Sequence, residues 1–300
     1  MPPDPQKDYL DPSFLLQLQN YSLMAKVVVE GFLSGLHRSL FHGFGTEFLQ
    51  YRNYTPGEDL KYLDWKVLAK SDRLYTKVYQ EETNMNCNII IDCSASLDYQ
   101  GERAPGSKLR YACTVAACIA YLAIRQGDNI GLFAYGDSAQ EMIEPGHRTG
   151  QLNRFLQALT RLKPQGSADH AAQLNALPHQ FAHRGIIVYL SDMLESEIVL
   201  PKILNRFRYR HCDCLAIQIL DPDELDLPHN RVTRYLDSES SNEITTFPKA
   251  ARASYAEAMR SYLEKLQQTF AKSQIEYLRL VTTDPLGQAL ARYLHHRENF

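Results

Sequence analysis

The sequence predicts an α/β protein with a doubly wound, mostly parallel sheet, helices on both faces, and an N-terminal α+β extension. Apolar runs typical of buried strands alternate with helical patterns from about residue 86 to residue 298. Two of these runs, "NCNIIIDCS" and "GIIVYLSDM", are nearly continuous, as expected of strands buried on both faces of a parallel sheet. Because the alternation begins only near residue 86, we expect an extension over residues 1–85, packed on a main domain over residues 86–300.

The extension combines helical and strand patterns. "SFLLQLQNYSLMAKVVVEGFL" has apolar residues at helical spacing and predicts one or two helices, whereas "RLYTKVYQEE" alternates and predicts a strand. Residues 1–12 are expected to form a loose tail. An acidic and aromatic segment lies between these patterns, and two interpretations of it stay open: a structural cover with a buried tryptophan, or a partner surface. Its residues are Glu58, Asp59, Asp64 and Trp65.

The main domain begins with the strand "NCNIIIDCS" and the helix "SKLRYACTVAACIAYLAIRQGD", with Ser107 as N-cap and Gly127 near its end. The strand "NIGLFAYG" and the helix "TGQLNRFLQALTRLKP", which stops at Pro164, come next. "SADHAAQLNALPHQFAHRG" predicts another helix, broken before Pro178. Two strands follow, "GIIVYLSDM" and "CLAIQILDPDE", and then a hairpin in "RVTRYLDSESSNEIT". A long amphipathic helix, the strand "IEYLRLVTTD" and a helix starting at Pro285 complete the chain.

Composition excludes several classes of protein. The 300 residues are 44% hydrophobic and 22% charged, as in soluble globular proteins. The formal net charge is -3 and no long block of like charge occurs, so we expect no nucleic-acid partner. No secretory signal is evident, and the longest apolar stretch, "CTVAACIAYLAI", is too short to span a bilayer. We therefore expect a cytoplasmic protein without a membrane segment.

The six cysteines do not predict a disulfide scaffold or a zinc site. None of their spacings is C-x-x-C, and Cys113 and Cys118 lie within an apolar helical pattern. Cys212 and Cys214 fall on one face of a predicted strand. Because tetrahedral zinc needs more ligands than this pair offers, we interpret both as buried thiols.

Oxygen-bearing side chains follow two of the predicted strands. Asp92, Ser94 and Ser96 come at the end of the first strand of the sheet, and Asp192 follows another. Ligands bind at the carboxyl ends of strands in such sheets, and hydroxyl and carboxylate oxygens suit Mg²⁺ or Mn²⁺. In the competing interpretation, a serine caps the next turn and Asp92 satisfies loop amides. The residues alone leave both interpretations open.

Catalytic alternatives have less support. An Asp-x-Asp phosphotransfer site needs a carboxylate where Ser94 stands, and no Walker phosphate loop occurs. Nucleophilic catalysis by Cys93 or Ser94 needs a positioned histidine, and His147 and His170 are only loop-side candidates. We therefore expect no enzyme; the alternatives are a metal-assisted hydrolase using the same cluster and a metal-free interaction module.

The Asp-x-Ser-x-Ser motif resembles the metal-ion-dependent adhesion site of von Willebrand factor A domains. Together with the segment before it, the chain from about residue 40 resembles the bacterial family called domain of unknown function 58. The ending "TTDPLGQALARYLHHR" fits the same family. The upstream positions that carry the resemblance are Gly43, Gly45, Glu47, Phe48, Arg52, Tyr54, Gly57, Glu58, Asp59, Asp64, Trp65, Glu81 and Glu82.

The resemblance implies an A-domain fold, a divalent-metal site and protein binding instead of catalysis. It places the ion on Asp92, Ser94, Ser96 and Asp192, with Asp169 outside the direct ligands. It also implies a MoxR-type AAA+ ATPase as partner, and chaperone-like maturation or assembly of an unknown client protein. In A-domains a partner's carboxylate often completes the coordination of the metal.

One position departs from the A-domain pattern. These domains usually take a threonine ligand from a second loop, and the corresponding stretch here is "QGSADHAAQL". Ala168 stands where the threonine is expected and offers no oxygen, while Ser167 could substitute only through a small shift of the loop. Two alternatives therefore stay open: a metal site with one ligand missing, or a site in which Ser167 replaces the threonine.

Overall fold

The computed structural model describes residues 12–16, 20–36, 48–53, 67, 74–79, 85–175, 177, 181, 184–194, 199–228, 231–239 and 242–298. The chain divides into two compact units, residues 35–84 and the remainder. In the smaller unit, strands β1 (Phe48–Asn53) and β2 (Tyr75–Tyr79) pair antiparallel, and β2 is the strand predicted by "RLYTKVYQEE". The segment with Glu58, Asp59, Asp64 and Trp65 lies outside the described residues, so neither interpretation of it is decided.

Two N-terminal helices belong to the larger unit, except for the last two residues of the second helix. They are α1 (Pro12–Leu15) and α2 (Tyr21–Leu36), and Asn20 caps α2 by accepting hydrogen bonds from the next backbone amides. Leu15 and Met24 are fully buried, and the carbonyl of Leu16 accepts a hydrogen bond from Arg110 at 2.7 Å. The sequence grouped these residues with the extension, whereas these contacts join them to the larger unit. The predicted domain division at residue 85 stays a prediction.

The larger unit contains a six-stranded sheet and a separate hairpin. The strands are β3 (Asn86–Asp92), β4 (Asn129–Tyr135), β5 (Ala139–Gly146), β6 (Gly185–Ser191), β7 (Cys212–Leu220), β8 (Thr233–Leu236), β9 (Glu243–Thr246) and β10 (Glu276–Val281). In the sheet, β10, β7, β6, β3 and β4 run parallel in that spatial order, and β5 closes one edge antiparallel to β4. The hairpin consists of β8 and β9.

Helices cover both faces of this sheet. One core contains residues of α5, α6 and α8 packed on side chains such as Ile90 and Ile187, while α3 and α9 pack on the other face, since successive strand residues point to opposite sides. Ser107 caps α3, and Gly127, at a φ of 81°, follows its end. The bounds are α3 (Lys108–Arg125), α4 (Gln151–Arg161), α5 (His170–Asn175), α6 (Val199–Arg208), α7 (Pro222–Leu225), α8 (Pro248–Lys272) and α9 (Gly287–Glu298).

The predicted fold class is confirmed by this topology. The chain leaves β3 toward β4 and β5, then returns to β6 and continues outward to β7 and β10. Strand order therefore reverses between β3 and β6, which is where ligands bind in doubly wound sheets. Asp92 ends β3, and Asp192 directly follows β6.

Several elements differ from the sequence prediction, and strand β1 and the short helix α7 have no counterpart in it. The antiparallel strand β5 was not predicted, because its edge position and Pro145 give it no apolar run. Helix α6 was also missed, although it buries Leu200, Ile203 and Leu204. The helix predicted over "SADHAAQLNALPHQFAHRG" is described only as α5, six residues long.

Candidate functional site

Asp92 is the buried carboxylate at the centre of the site. Its Oδ1 accepts a hydrogen bond from the backbone N–H of Ser94 at 2.8 Å, and its Oδ2 accepts one from the Ser191 hydroxyl at 2.7 Å. Only 1% of the residue is exposed. Burial, and then the charge of Asp192, raise the pKa of this carboxyl to about 6, against the smaller lowering effects of His170 and the two hydrogen bonds.

Ser94 and Ser96 present their hydroxyls together. The Oγ atoms lie 3.0 Å apart, at the start of a short 3₁₀ turn formed by Ala95–Asp98. The Ser94 side chain makes no capping hydrogen bond to that turn, so the capping interpretation of this serine is wrong. The loop-amide interpretation of Asp92 holds for one carboxylate oxygen, because that oxygen accepts the Ser94 amide.

Asp192 is held by a buried lysine that the sequence analysis missed. The ammonium of Lys108, at the first position of α3, lies 2.8 Å from Asp192 Oδ2 and 2.5 Å from Glu224 Oε1. Lys108 is fully buried. Burial lowers its pKa, but the two carboxylates outweigh burial and leave the pKa above its ordinary value. The Glu224 pKa is raised, because burial outweighs the attraction of the ammonium. The ammonium of Lys108 thus joins the segments that follow β3, β6 and β7.

Asp192 is also fixed through its backbone. Its carbonyl accepts a hydrogen bond from the Gln218 side chain at 2.7 Å, and Gln218 in turn accepts one from the Tyr277 hydroxyl at 2.5 Å. Gln218 is fully buried within β7. The position of Asp192 is therefore set by neighbouring strands as well as by Lys108.

The second loop approaches the same strand end. It is joined to the first loop by backbone hydrogen bonds from Gln165 N to Cys93 O and from Ala95 N to Gly166 O. Ala168 lines the cavity described below and offers no polar side-chain atom. Asp169 is exposed, and its Oδ1 accepts a hydrogen bond from the backbone N–H of Ala172. Asp169 thus caps the N-terminus of α5.

His170 forms hydrogen bonds with two buried tyrosines. Its Nδ1 lies 2.9 Å from the Tyr135 hydroxyl and 3.2 Å from the Tyr189 hydroxyl, and the two hydroxyls are 2.9 Å apart. Burial raises the pKa values of both tyrosines well above their ordinary value. The imidazole is thus anchored by phenol groups on β4 and β6.

A cavity of about 1000 Å³ opens above these residues, and we name it the strand-end cavity. Its floor contains Asp92, Ser94, Ser96 and Asp192, so the structure brings these four predicted residues together. Asp169 and His170 also line it, whereas Ser167 and His147 do not belong to its described lining. The wall comes from the β8–β9 hairpin, the start of α8 and the segment after β7; this wall includes Leu227, Tyr235, Leu236, Ile244, Ala251 and Tyr255.

The profile of the family described as "Protein of unknown function DUF58" matches residues 50–265. The chain belongs to this family. The DUF58 match spans the strand-end floor, the second loop and the hairpin, but ends within α8. Of the upstream positions that carried the resemblance, only Phe48 and Arg52 are described, and both lie in β1.

Other proteins are similar to this DUF58 chain. An uncharacterized protein of Mycobacterium tuberculosis is 29% identical over 269 residues, covering 87% of this chain and 83% of that protein. The BatB protein of Bacteroides thetaiotaomicron is 14% identical with a TM-score of 0.48, covering 72% of this chain and 100% of that one. The VWA domain of SpRpn10 is 14% identical with a TM-score of 0.42, covering 70% and 95%. The fold class therefore rests on the strand order above.

The structure also bears on the expectations about cysteines, metal-ligand groups and membrane-spanning helices. All six cysteines are free and buried, which confirms the interpretation of Cys212 and Cys214 as buried thiols. In the described part of the chain, no three His, Cys, Asp or Glu side chains group as a metal-ligand set. The Asp-x-Ser-x-Ser donors are of a different kind, because hydroxyls supply part of the set. Among the described helices, none has the length and apolar character needed to cross a membrane.

Proposed function

We propose that this DUF58 protein is a non-enzymatic protein-binding adaptor whose partner enters the strand-end cavity. One observation carries the proposal: the cavity joins buried carboxylates at the strand-order reversal to a wall with exposed apolar side chains. A volume of about 1000 Å³ accommodates several side chains of a partner. The fixed floor and exposed wall support recognition of a polypeptide.

The contacts of the candidate nucleophiles favour binding over catalysis. The Ser94 hydroxyl pairs with Ser96, while the His170 Nδ1 pairs with tyrosine hydroxyls. The Cys93 thiol is buried, and burial raises its pKa well above the ordinary value. A nucleophile–base pair is therefore not formed among the described cavity residues. Asp92 is also a poor candidate for the base of a metal-assisted hydrolase, because both of its carboxylate oxygens already accept hydrogen bonds.

We further propose that Mg²⁺ or Mn²⁺ binds the floor weakly. Asp92, Ser94, Ser96 and Asp192 all reach the cavity with oxygen atoms of the kind these ions prefer. Ala168 supplies none, so the set fits an ion that keeps several waters. Asp169 would lie outside its direct ligands. A bound ion would supply positive charge beside two buried carboxylates.

The proposed partner is a MoxR-type AAA+ ATPase, and the proposed role is chaperone-like maturation or assembly of client proteins. Membership of the DUF58 family supports this part of the proposal, because resemblance to that family implies such a partner and such a role. The geometry supports the strand-end cavity as the recognition face.

Calorimetric titration of Mg²⁺ and Mn²⁺, followed by capture of the AAA+ ATPase, tests the function. Asp92→Ala removes the central carboxylate, and Asp98→Ala is the matched control because Asp98 is exposed on the same loop. We expect Asp92→Ala to abolish ion binding and weaken capture, with the control unchanged. Capture that survives Asp92→Ala at full strength would show that the partner uses another face. Absence of ion binding at millimolar metal would reject the metal site alone.

A further inference from the structure

We infer that the partner segment recognised by the strand-end cavity carries an apolar side chain flanked by lysine or arginine. This inference rests on the proposed function and names the chemistry of its partner. It depends on the cavity wall and on two carboxylates, Asp169 and Glu239, which we name the rim. The metal proposal depends instead on the floor.

The strand-end cavity groups several exposed apolar side chains, and its wall supplies the two most exposed of them. Ten large hydrophobic side chains are exposed in the described residues, and four of them line this one cavity. They are Tyr99, Val199, Leu236 and Ile244, and the last two are each 67% exposed. Grouped exposed apolar side chains mark contact surfaces for other molecules. The wall therefore offers an anchoring site for an apolar side chain of the partner.

The charged side chains in the described lining of this cavity are mainly carboxylates. Seven carboxylate residues line the cavity, and no lysine or arginine belongs to its described lining. Lys108 neutralises part of the floor from inside the protein, and Arg103 pairs with Asp223 at 2.5 Å. The seven are Asp92, Asp169, Asp192, Asp223, Glu224, Asp237 and Glu239. A cationic partner complements this lining, whereas an acidic segment or an anionic surface is repelled.

The acidic rim persists whether or not an ion occupies the floor. A divalent ion would neutralise Asp92 and Asp192, which are buried at the base of the cavity. Asp169 lies on the loop before α5, and Glu239 lies between the two strands of the hairpin. These two carboxylates belong to separate segments of the lining. The structure thus favours basic residues beside the apolar anchor.

Fluorescence anisotropy with synthetic peptides tests the inference on the full chain. The probe is a labelled heptapeptide of alternating lysine and leucine. Two matched peptides replace every leucine by serine or every lysine by glutamate, each measured with magnesium chloride and with a chelator. We expect the lysine–leucine peptide to bind in both conditions, and the other two to bind at least about tenfold more weakly.

Substitutions in the hairpin locate the binding. Ile244→Ser should weaken the lysine–leucine peptide about tenfold. Val232→Ser is the matched control, because Val232 is 66% exposed beside the same hairpin and is not part of the described lining. Glu239→Lys should weaken binding about threefold and reduce its salt dependence. Glu264→Lys, an exposed site on α8, should leave it unchanged.

Three outcomes would overturn the inference. The first is tighter binding of the glutamate peptide than of the lysine–leucine peptide in magnesium chloride, and the second is equal affinity of Ile244→Ser and Val232→Ser for the lysine–leucine peptide. The third is occupation of the cavity by a second copy of the chain. The last would appear in sedimentation as a dimer that Ile244→Ser dissociates and the peptide does not displace. A different result would contradict the proposed function: neither floor nor wall substitutions would change capture of the AAA+ ATPase. If only this inference fails, Asp92→Ala still weakens capture while Ile244→Ser does not.

Discussion

Replacing Asp92 by asparagine should stabilise the metal-free protein at neutral and alkaline pH. The raised pKa of about 6, against an ordinary value of 3.8, means that the folded protein holds this proton more tightly than the unfolded chain. The associated stability is fully present below about pH 4 and is lost as the pH rises through about 6. A difference of about two pKa units corresponds to about 3 kcal/mol of unfolding free energy.

The substitution keeps most of the local geometry. An asparagine oxygen can still accept the Ser94 amide, while its NH₂ group faces the Ser191 hydroxyl, which can rotate to accept. Because a charged acceptor is exchanged for a neutral one, part of the gain is lost. We expect a net gain of about 1–2 kcal/mol at pH 8 and none at pH 4.

Urea denaturation followed by far-ultraviolet circular dichroism, in chelator and between pH 4 and pH 8, measures this effect. Asp98→Asn controls for the loss of a carboxylate from an exposed position in the same loop. Equal stabilities of wild type and Asp92→Asn across the whole range would refute the reasoning, as would a gain confined to acidic pH. Either result would mean that the buried carboxylate is not costly to ionise.

Three other substitutions test the remaining contacts of the site. Lys108→Met should cost about 3–5 kcal/mol in urea denaturation, because it leaves two carboxylates without their buried cation. Gly136→Ala should destabilise by about 1–3 kcal/mol in the same assay, since its Cβ would lie 2.6 Å from the Gln165 carbonyl. Ala168→Thr should raise Mg²⁺ affinity about tenfold in calorimetry by adding an oxygen ligand, whereas Ala171→Thr, also in the lining, should not.

The sequence was sufficient to predict the fold class and the floor of the cavity. "NCNIIIDCS" and "GIIVYLSDM" combine buried strands with terminal polar residues, so Asp92 and Asp192 follow from general rules of parallel sheets. Ser94 and Ser96 follow from the same strand end. The predicted positions are confirmed because strand burial and side-chain direction are local properties of the chain, whereas the metal-binding role stays a prediction.

The cation that organises the floor could not be predicted in this way. Lys108 begins an amphipathic helix, where a lysine normally reaches solvent, and its partners lie 84 and 116 positions further along the chain. The capping box that starts α7 was the only local signal at the partner site, since Asp221 and Glu224 satisfy each other's backbone amides. Tertiary packing alone brings these residues to Lys108.

The predicted hairpin illustrates a second limit. The sequence predicts that a hairpin is present, and the structure pairs Tyr235 with Ile244. The role of the hairpin as the cavity wall could not be predicted, because it depends on where β7 ends and α8 begins in space. Exposed leucine and isoleucine in a short hairpin otherwise indicate nothing beyond weak burial.

Two features of the floor reduce the dependence of the cavity on a divalent ion. Ala168 removes one oxygen from the second loop, and the Lys108 ammonium already neutralises part of the charge on Asp192. A second cation beside Asp192 gains less attraction than it would beside an unpaired carboxylate, because like charges repel across a few ångströms of protein. The hairpin wall and the rim carboxylates are unaffected by either feature. Recognition that depends on them should persist in chelator, which separates this cavity from a site that requires its metal to bind a partner.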